Sequence, residues 1–147
     1  LNYIQRKLMD INYHIYGSNK YLEKNGMPKT INDLNSHRFI SFGKGAPSPV
    51  YNPDWALKIG MKDNKKRKSV MKVNSVMGLL LAVESGVGLA ALPDYLVLPS
   101  RNIIKVVPKA EGPVTEAHFV YPQSLKNVAR VQAFRNFLYS KISEWKF

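Results

Sequence analysis

The apolar positions change period several times along the chain, and each change marks an element. Residues 12–16 (Asn-Tyr-His-Ile-Tyr) carry β-favouring side chains and predict a strand that ends at a Gly17-Ser18 turn. Ser18 can then cap a short helix over 19–25, closed by Gly26 with Pro28 beyond it. Thr30, with Asp33 in the first turn, predicts a second short helical segment ending near Asn35. Residues 38–42 read as a strand, and 43–53, with two glycines and three prolines, as a loop. Residues 55–61 and 68–73 read as the two strands of a hairpin around the polar turn 62–67.

The clearest signal comes next. Asn74 and Ser75 are good N-caps, and Val76, Leu79, Leu80 and Val83 recur at helical spacing. Gly86 suits the left-handed cap that ends such a helix. Residues 88–92 predict a short buried strand, and Pro93 opens a helical turn through Tyr95 to Leu98. Two more strands, 103–107 and 116–121, flank a loop over 108–115. A closing helix over 127–145 gathers Val128, Val131, Phe134, Phe137, Leu138 and Ile142 on one face, which predicts core packing. Trp55, Tyr121 and Trp145 are read as packing residues too. Strands and helices alternate, so the class is α/β.

Composition narrows the chemistry. With 147 residues and 45% hydrophobic positions the chain can build a real core. It has no cysteine, which removes disulfides, thiolate metal sites and cysteine nucleophiles together. The three histidines, His14, His37 and His118, show no metal-ligand spacing. No Gly-x-Ser-x-Gly elbow or paired acidic motif is present, so the reading is of a non-enzyme with no catalytic residue, cofactor or metal. The longest apolar run, Val76 to Val83, is too short to cross a bilayer, and no leader opens the sequence; both point to a soluble chain off the membrane. The net charge of +12 suits a nucleic-acid binder. It is spread along the chain, however, apart from Lys65, Lys66, Arg67 and Lys68, which read first as a solvated turn and second as a phosphate patch.

Three segments together carry a resemblance. Residues 73–96 (Val-Asn-Ser-Val-Met-Gly-Leu-Leu-Leu-Ala-Val-Glu-Ser-Gly-Val-Gly-Leu-Ala-Ala-Leu-Pro-Asp-Tyr-Leu) resemble the strand, helix, Gly-x-Gly, buried strand and Leu-Pro of the effector-binding domain of LysR-type transcriptional regulators. Phe119-Val-Tyr-Pro122 with the run 129–138 is similar to the closing strand and helix of that domain. The run 16–28 with Asp33-Leu34 resembles the segment after its first crossover, with Asn19 where a proline is usual. The resemblance covers roughly Leu8 to Ile142.

It implies a type 2 periplasmic-binding-protein-like fold with two α/β lobes around a ligand cleft. On that map 1–13 end the first lobe and cross over, 14–115 form the second lobe, and 116–147 return to the first. The family's opening strands of the first lobe, and its N-terminal winged helix-turn-helix, fall outside this sequence. The implied function is effector sensing in a cytoplasmic bacterial regulator, a dimer or tetramer when intact, that reaches DNA only through that helix-turn-helix. The alternatives are an extracytoplasmic solute-binding protein of the same fold and a basic nucleic-acid-binding module.

A cleft of this kind needs inward-pointing donors. Gly43-Lys44-Gly45, after the strand ending Ser41-Phe42, would free backbone N–H groups and add the Ser41 and Lys44 side chains. Asn74 and Ser75 open the long helix, whose first N–H groups suit an anion. Those seven residues are the expected effector site for a small metabolite, a carboxylate or other anion being well suited. Each set has a plainer role as well: Gly43 to Gly45 as a turn, Asn74 and Ser75 as caps. Gly86 and Gly88 are assigned to backbone geometry, and His118 to a hydrogen-bonded structural role.

Overall fold

The computed structural model describes residues 2–43, 52–97, 99 and 101–145. The chain divides into two compact units, one made of 1–11 with 114–147 and the other of 12–113.

The first unit is built on β1 (Tyr3–Ile11), paired antiparallel with β7 (Thr115–Pro122) and interrupted by a bulge between Lys7 and Met9. Its helix α4 (Ala129–Ser143) meets this ribbon through Phe134, edge-on to Phe119 at 5.9 Å, and through the Tyr139 hydroxyl, which donates to the Lys7 carbonyl at 2.9 Å. The apolar stripe does form a helix, as its spacing predicts. It does not form a core: no residue of α4 is buried, and Phe134 and Phe137 are about half exposed. A two-stranded ribbon is too narrow to cover a fifteen-residue helix. Tyr121 on β7 is buried, whereas Trp145 is 52% exposed.

The second unit carries the main core. β2 (Tyr13–Ser18) lies between β5 (Ala90–Pro93) and β6 (Ile103–Val106), antiparallel to both. β3 (Phe39–Phe42) runs parallel to β4 (Ser69–Val73), and a parallel bridge from Phe39 to Leu89 connects this pair to the start of β5. Helix α1 (Asn19–Asn25) starts on the Ser18 hydroxyl, which accepts from the Tyr21 N–H at 3.3 Å. Helix α3 (Val76–Glu84) starts on Ser75, whose hydroxyl accepts from the Gly78 N–H at 3.0 Å. Its Leu79, Leu80 and Val83 pack with Tyr16, Ile40, Ala90 and Leu92. These buried side chains are the largest stabilising term in the unit, at roughly 1.5–3 kcal/mol for each large aliphatic. After α3, Gly86 turns the chain at φ +78°, and Gly88 lies so close to β3 that a Cβ would sit 2.6 Å from the Arg38 carbonyl oxygen. The Gly-x-Gly is therefore a packing device.

Two local expectations change. Residues 55–61 are not a strand: Trp55–Lys58 form a one-turn helix, α2, with Trp55, Ala56 and Leu57 all buried. β4 consequently has no hairpin partner there and pairs instead with β3. The Thr30 segment is a 3-10 turn over Asp33–Ser36, with Thr30 and Asp33 exchanging side-chain-to-backbone hydrogen bonds.

Candidate functional site

The two sequence segments expected to bind an effector are brought together. Parallel pairing sets Ser41 opposite Lys72 and Phe42 opposite Val73, so Gly43 and Asn74-Ser75 follow at the carboxyl ends of adjacent strands. In α/β sheets that is where ligands are usually received. The Gly43 N–H, however, donates to the Val73 carbonyl at 2.8 Å, so this glycine offers no free donor. Asn74 and Ser75 are both exposed, and Ser75 is a genuine cap. Phe42 packs against the core cluster around Ile40 and Leu79. Lys44 and Gly45 lie outside the described residues.

Two hollows open beside Ser41. One, lined by Tyr13, Phe39, Trp55, Val76 and Pro93 among others, holds only about 20 Å³, room for a water and no more. The other is a cleft of about 580 Å³, the volume of a metabolite site. Its walls come from the end of β3 (Ser41, Phe42, Gly43), from Pro53, Asp54 and Leu57, and from Lys66, Arg67, Lys68, Ser69 and Lys72. Ser41 Oγ donates to Ser69 Oγ at 2.9 Å across the strand pair. Asp54 is held by Lys66 at 2.9 Å.

Sequence reasoning missed Arg67. It sits in the basic run read as a solvated turn, and Lys65, Lys66 and Lys68 are indeed exposed, yet Arg67 is only 8% exposed. Its guanidinium donates through Nε to Asn35 Oδ1 (2.9 Å), through Nη1 to the Ala56 and Ile59 carbonyls (3.3 and 2.8 Å) and through Nη2 to the Ile31 carbonyl (3.2 Å). It also faces the Phe39 ring at 5.8 Å. Burial pushes its pKa below the ordinary arginine value, with no carboxylate opposing that shift. The one available signal was its place between Lys66 and Lys68, where guanidinium alone can satisfy several carbonyls at once.

A second polar cluster was also not foreseen. The Asp94 carboxylate accepts from the Tyr16 hydroxyl at 2.7 Å, lies 2.8 and 2.9 Å from His14 Nδ1, and meets Lys105 Nζ at 3.3 Å. Burial first, and the hydrogen bond to Asp94 second, push the Tyr16 hydroxyl pKa well above its ordinary value. His14 and Tyr16 point the same way because they are two apart on β2, which sequence periodicity could have revealed. The arrangement ties β2, β6 and the turn after β5 together. His118 Nε2 lies 3.3 Å from Glu116 Oε2, a surface pair. Among the described residues no group of three or more His, Cys, Asp or Glu could hold a metal ion, and no helix is long and apolar enough to span a membrane.

The second unit is thus an α/β unit with parallel strand ends beside a polar cleft. Residues 2–142 match the LysR substrate binding domain family, and the chain belongs to that family. It is 30% identical over 123 residues to an uncharacterized HTH-type transcriptional regulator of Haemophilus influenzae, across 81% of this chain and 41% of that protein. The chain thus spans less than half the length of this curated relative. Among solved structures it superposes on the regulatory domain of CrgA, a LysR-type transcriptional regulator from Neisseria meningitidis, with TM-score 0.74 and 21% identity over 95% of this chain and 69% of that one. The effector domain of the transcriptional regulator AmpR of Pseudomonas aeruginosa gives TM-score 0.64 and 17% identity over 96% and 66%. At these identities the structures speak for the fold.

Proposed function

We propose that this chain is the effector-sensing part of a LysR-type transcriptional regulator. The observation that carries the reading is the family match over 2–142 combined with Ser41–Gly43 lining a metabolite-sized cleft at a parallel strand end, with Asn74-Ser75 following the adjacent strand outside that lining. In this reading a small molecule is held at Ser41, Asn74 and Ser75, with the first N–H groups of α3 available to an oxygen anion. The domain is a binding module and not a catalyst. The whole regulator acts in the cytoplasm as an oligomer and reaches DNA through a helix-turn-helix outside this sequence. A ligand can switch such an assembly only by binding one arrangement of it better than another.

The test uses the full-length gene product. Chromatin immunoprecipitation should find it at discrete promoters, and Asn74→Ala with Ser75→Ala should alter transcription from those promoters while leaving DNA occupancy in place. A product that occupies no promoter, or a response indifferent to both changes, would overturn the reading.

A further inference from the structure

The basic cleft beside β3 and β4 bears on what the ligand is, and the argument rests on the effector-sensing reading above. Four cationic side chains, Lys66, Arg67, Lys68 and Lys72, line it against one carboxylate, Asp54. That carboxylate is already engaged by Lys66 at 2.9 Å. Among the described residues no carboxylate pairs with Arg67, Lys68 or Lys72, and Arg67 differs from a surface charge in being buried and fixed by four hydrogen bonds. A buried cation without a counter-ion projects its field into the adjacent hollow with little screening, because less water stands between. Four of its five N–H donors are taken by protein oxygens, so it acts mainly through charge; the direct contacts would come from Lys68 and Lys72. The Ser41 and Ser69 hydroxyls are hydrogen-bonded to each other at 2.9 Å on the cleft wall.

We infer that this cleft binds a compact, multiply charged anion, one carrying a phosphoryl group or two or more carboxylates. A single carboxylate would neutralise too little of the surplus, and a neutral ligand none of it. Lys62 and Lys65, close by in the sequence, are exposed and outside the cleft lining.

The experiment is isothermal titration calorimetry of the chain with pyrophosphate and with citrate, acetate serving as the singly charged control. Pyrophosphate or citrate should bind and acetate should not. Lys68→Gln combined with Lys72→Gln should weaken binding about tenfold, since two partly screened ion pairs with the anion are lost. Raising NaCl from about 50 to about 300 mM should weaken it as well. Both lysines are exposed, so an unchanged thermal melt checks that the double variant folds. Absence of binding by either multivalent anion, or equal affinity in the double variant, would overturn the inference. So would lysine-dependent binding of duplex DNA without any small anion. The same double variant in the full-length regulator separates the two readings. Anion binding that leaves transcription unmoved in the wild type would uphold the anion site and sink the effector role. A transcriptional response preserved in the double variant would uphold the effector role and sink the anion site.

Discussion

Replacing Arg67 by alanine should destabilise the protein by about 3 kcal/mol. The change strips the donors from three backbone carbonyls, at Ile31, Ala56 and Ile59, and from the Asn35 side chain. A buried acceptor left unpaired costs roughly 1–3 kcal/mol. Asn35 is exposed and recovers a water partner, and the cleft lets water reach part of what remains. Removing a buried cation also relieves its desolvation cost, which offsets some of the loss. Two carbonyls' worth of penalty, with the lost contact to Phe39, sets the figure. Urea unfolding followed by circular dichroism measures it directly, and the melting temperature should fall by roughly 6–12 °C for a chain of this size. Arg67→Lys should recover no more than half, because one ammonium nitrogen cannot reach acceptors served from Nε, Nη1 and Nη2. An alanine variant within about 0.5 kcal/mol of wild type, or full recovery by lysine, would refute the idea that this guanidinium holds the segments around 31, 35 and 56–59 together.

Three further outcomes follow from the same structure. Gly88→Ala must push a methyl to 2.6 Å from the Arg38 carbonyl oxygen, between strands joined by Leu89, so a loss of about 3 kcal/mol in urea unfolding is expected, at the upper end of overpacking costs. Ser75→Ala removes the cap that accepts from the Gly78 N–H and should cost about 1 kcal/mol, read in the same assay. Burial holds His37 below the usual histidine pKa, only partly countered by Asp33, so folding favours its neutral form; stability is full above about pH 6.5 and declines as pH falls below it. The urea midpoint should therefore drop on going from about pH 7.5 to about pH 5.5, and His37→Asn should flatten that drop. The window of Asp33, whose pKa is lowered chiefly by the Thr30 and Lys29 N–H groups, lies below the ordinary aspartate value and leaves this range undisturbed.

What the sequence disclosed was whatever is decided locally. α1 could be placed to the residue, and the start of α3 to within one, because their start signals, Ser18 and Ser75, act within three residues. The run 55–61 misleads for a physical reason: Trp55, Leu57, Ile59 and Met61 alternate with less apolar residues and imitate a strand. In the fold the backbone bonds within itself, Ile59 N–H to the Trp55 carbonyl, and Gly60 breaks the extension at φ +71°. The parallel pairing of β3 with β4 joins residues about thirty apart, which no local period encodes. The closing helix failed differently, since its stripe correctly predicts a helix and says nothing about how much sheet lies beneath it.

The candidate site divides along the same line. Ser41–Gly43 and Asn74-Ser75 were legible as two polar strand-end segments, because each has turn or cap chemistry that a single stretch reveals. Their meeting depends on the register Phe42 to Val73, and that register also takes the Gly43 N–H away from any ligand by giving it to the Val73 carbonyl. The donor therefore vanishes by the same hydrogen bond that assembles the site. Arg67 shows the converse. In the sequence it is one of four successive basic residues, and charge predicts water for all of them. Carbonyls 8, 11 and 36 residues back select it alone for burial, since only a guanidinium can serve them together. The charge lining the cleft therefore includes a residue whose neighbours in sequence describe a different environment.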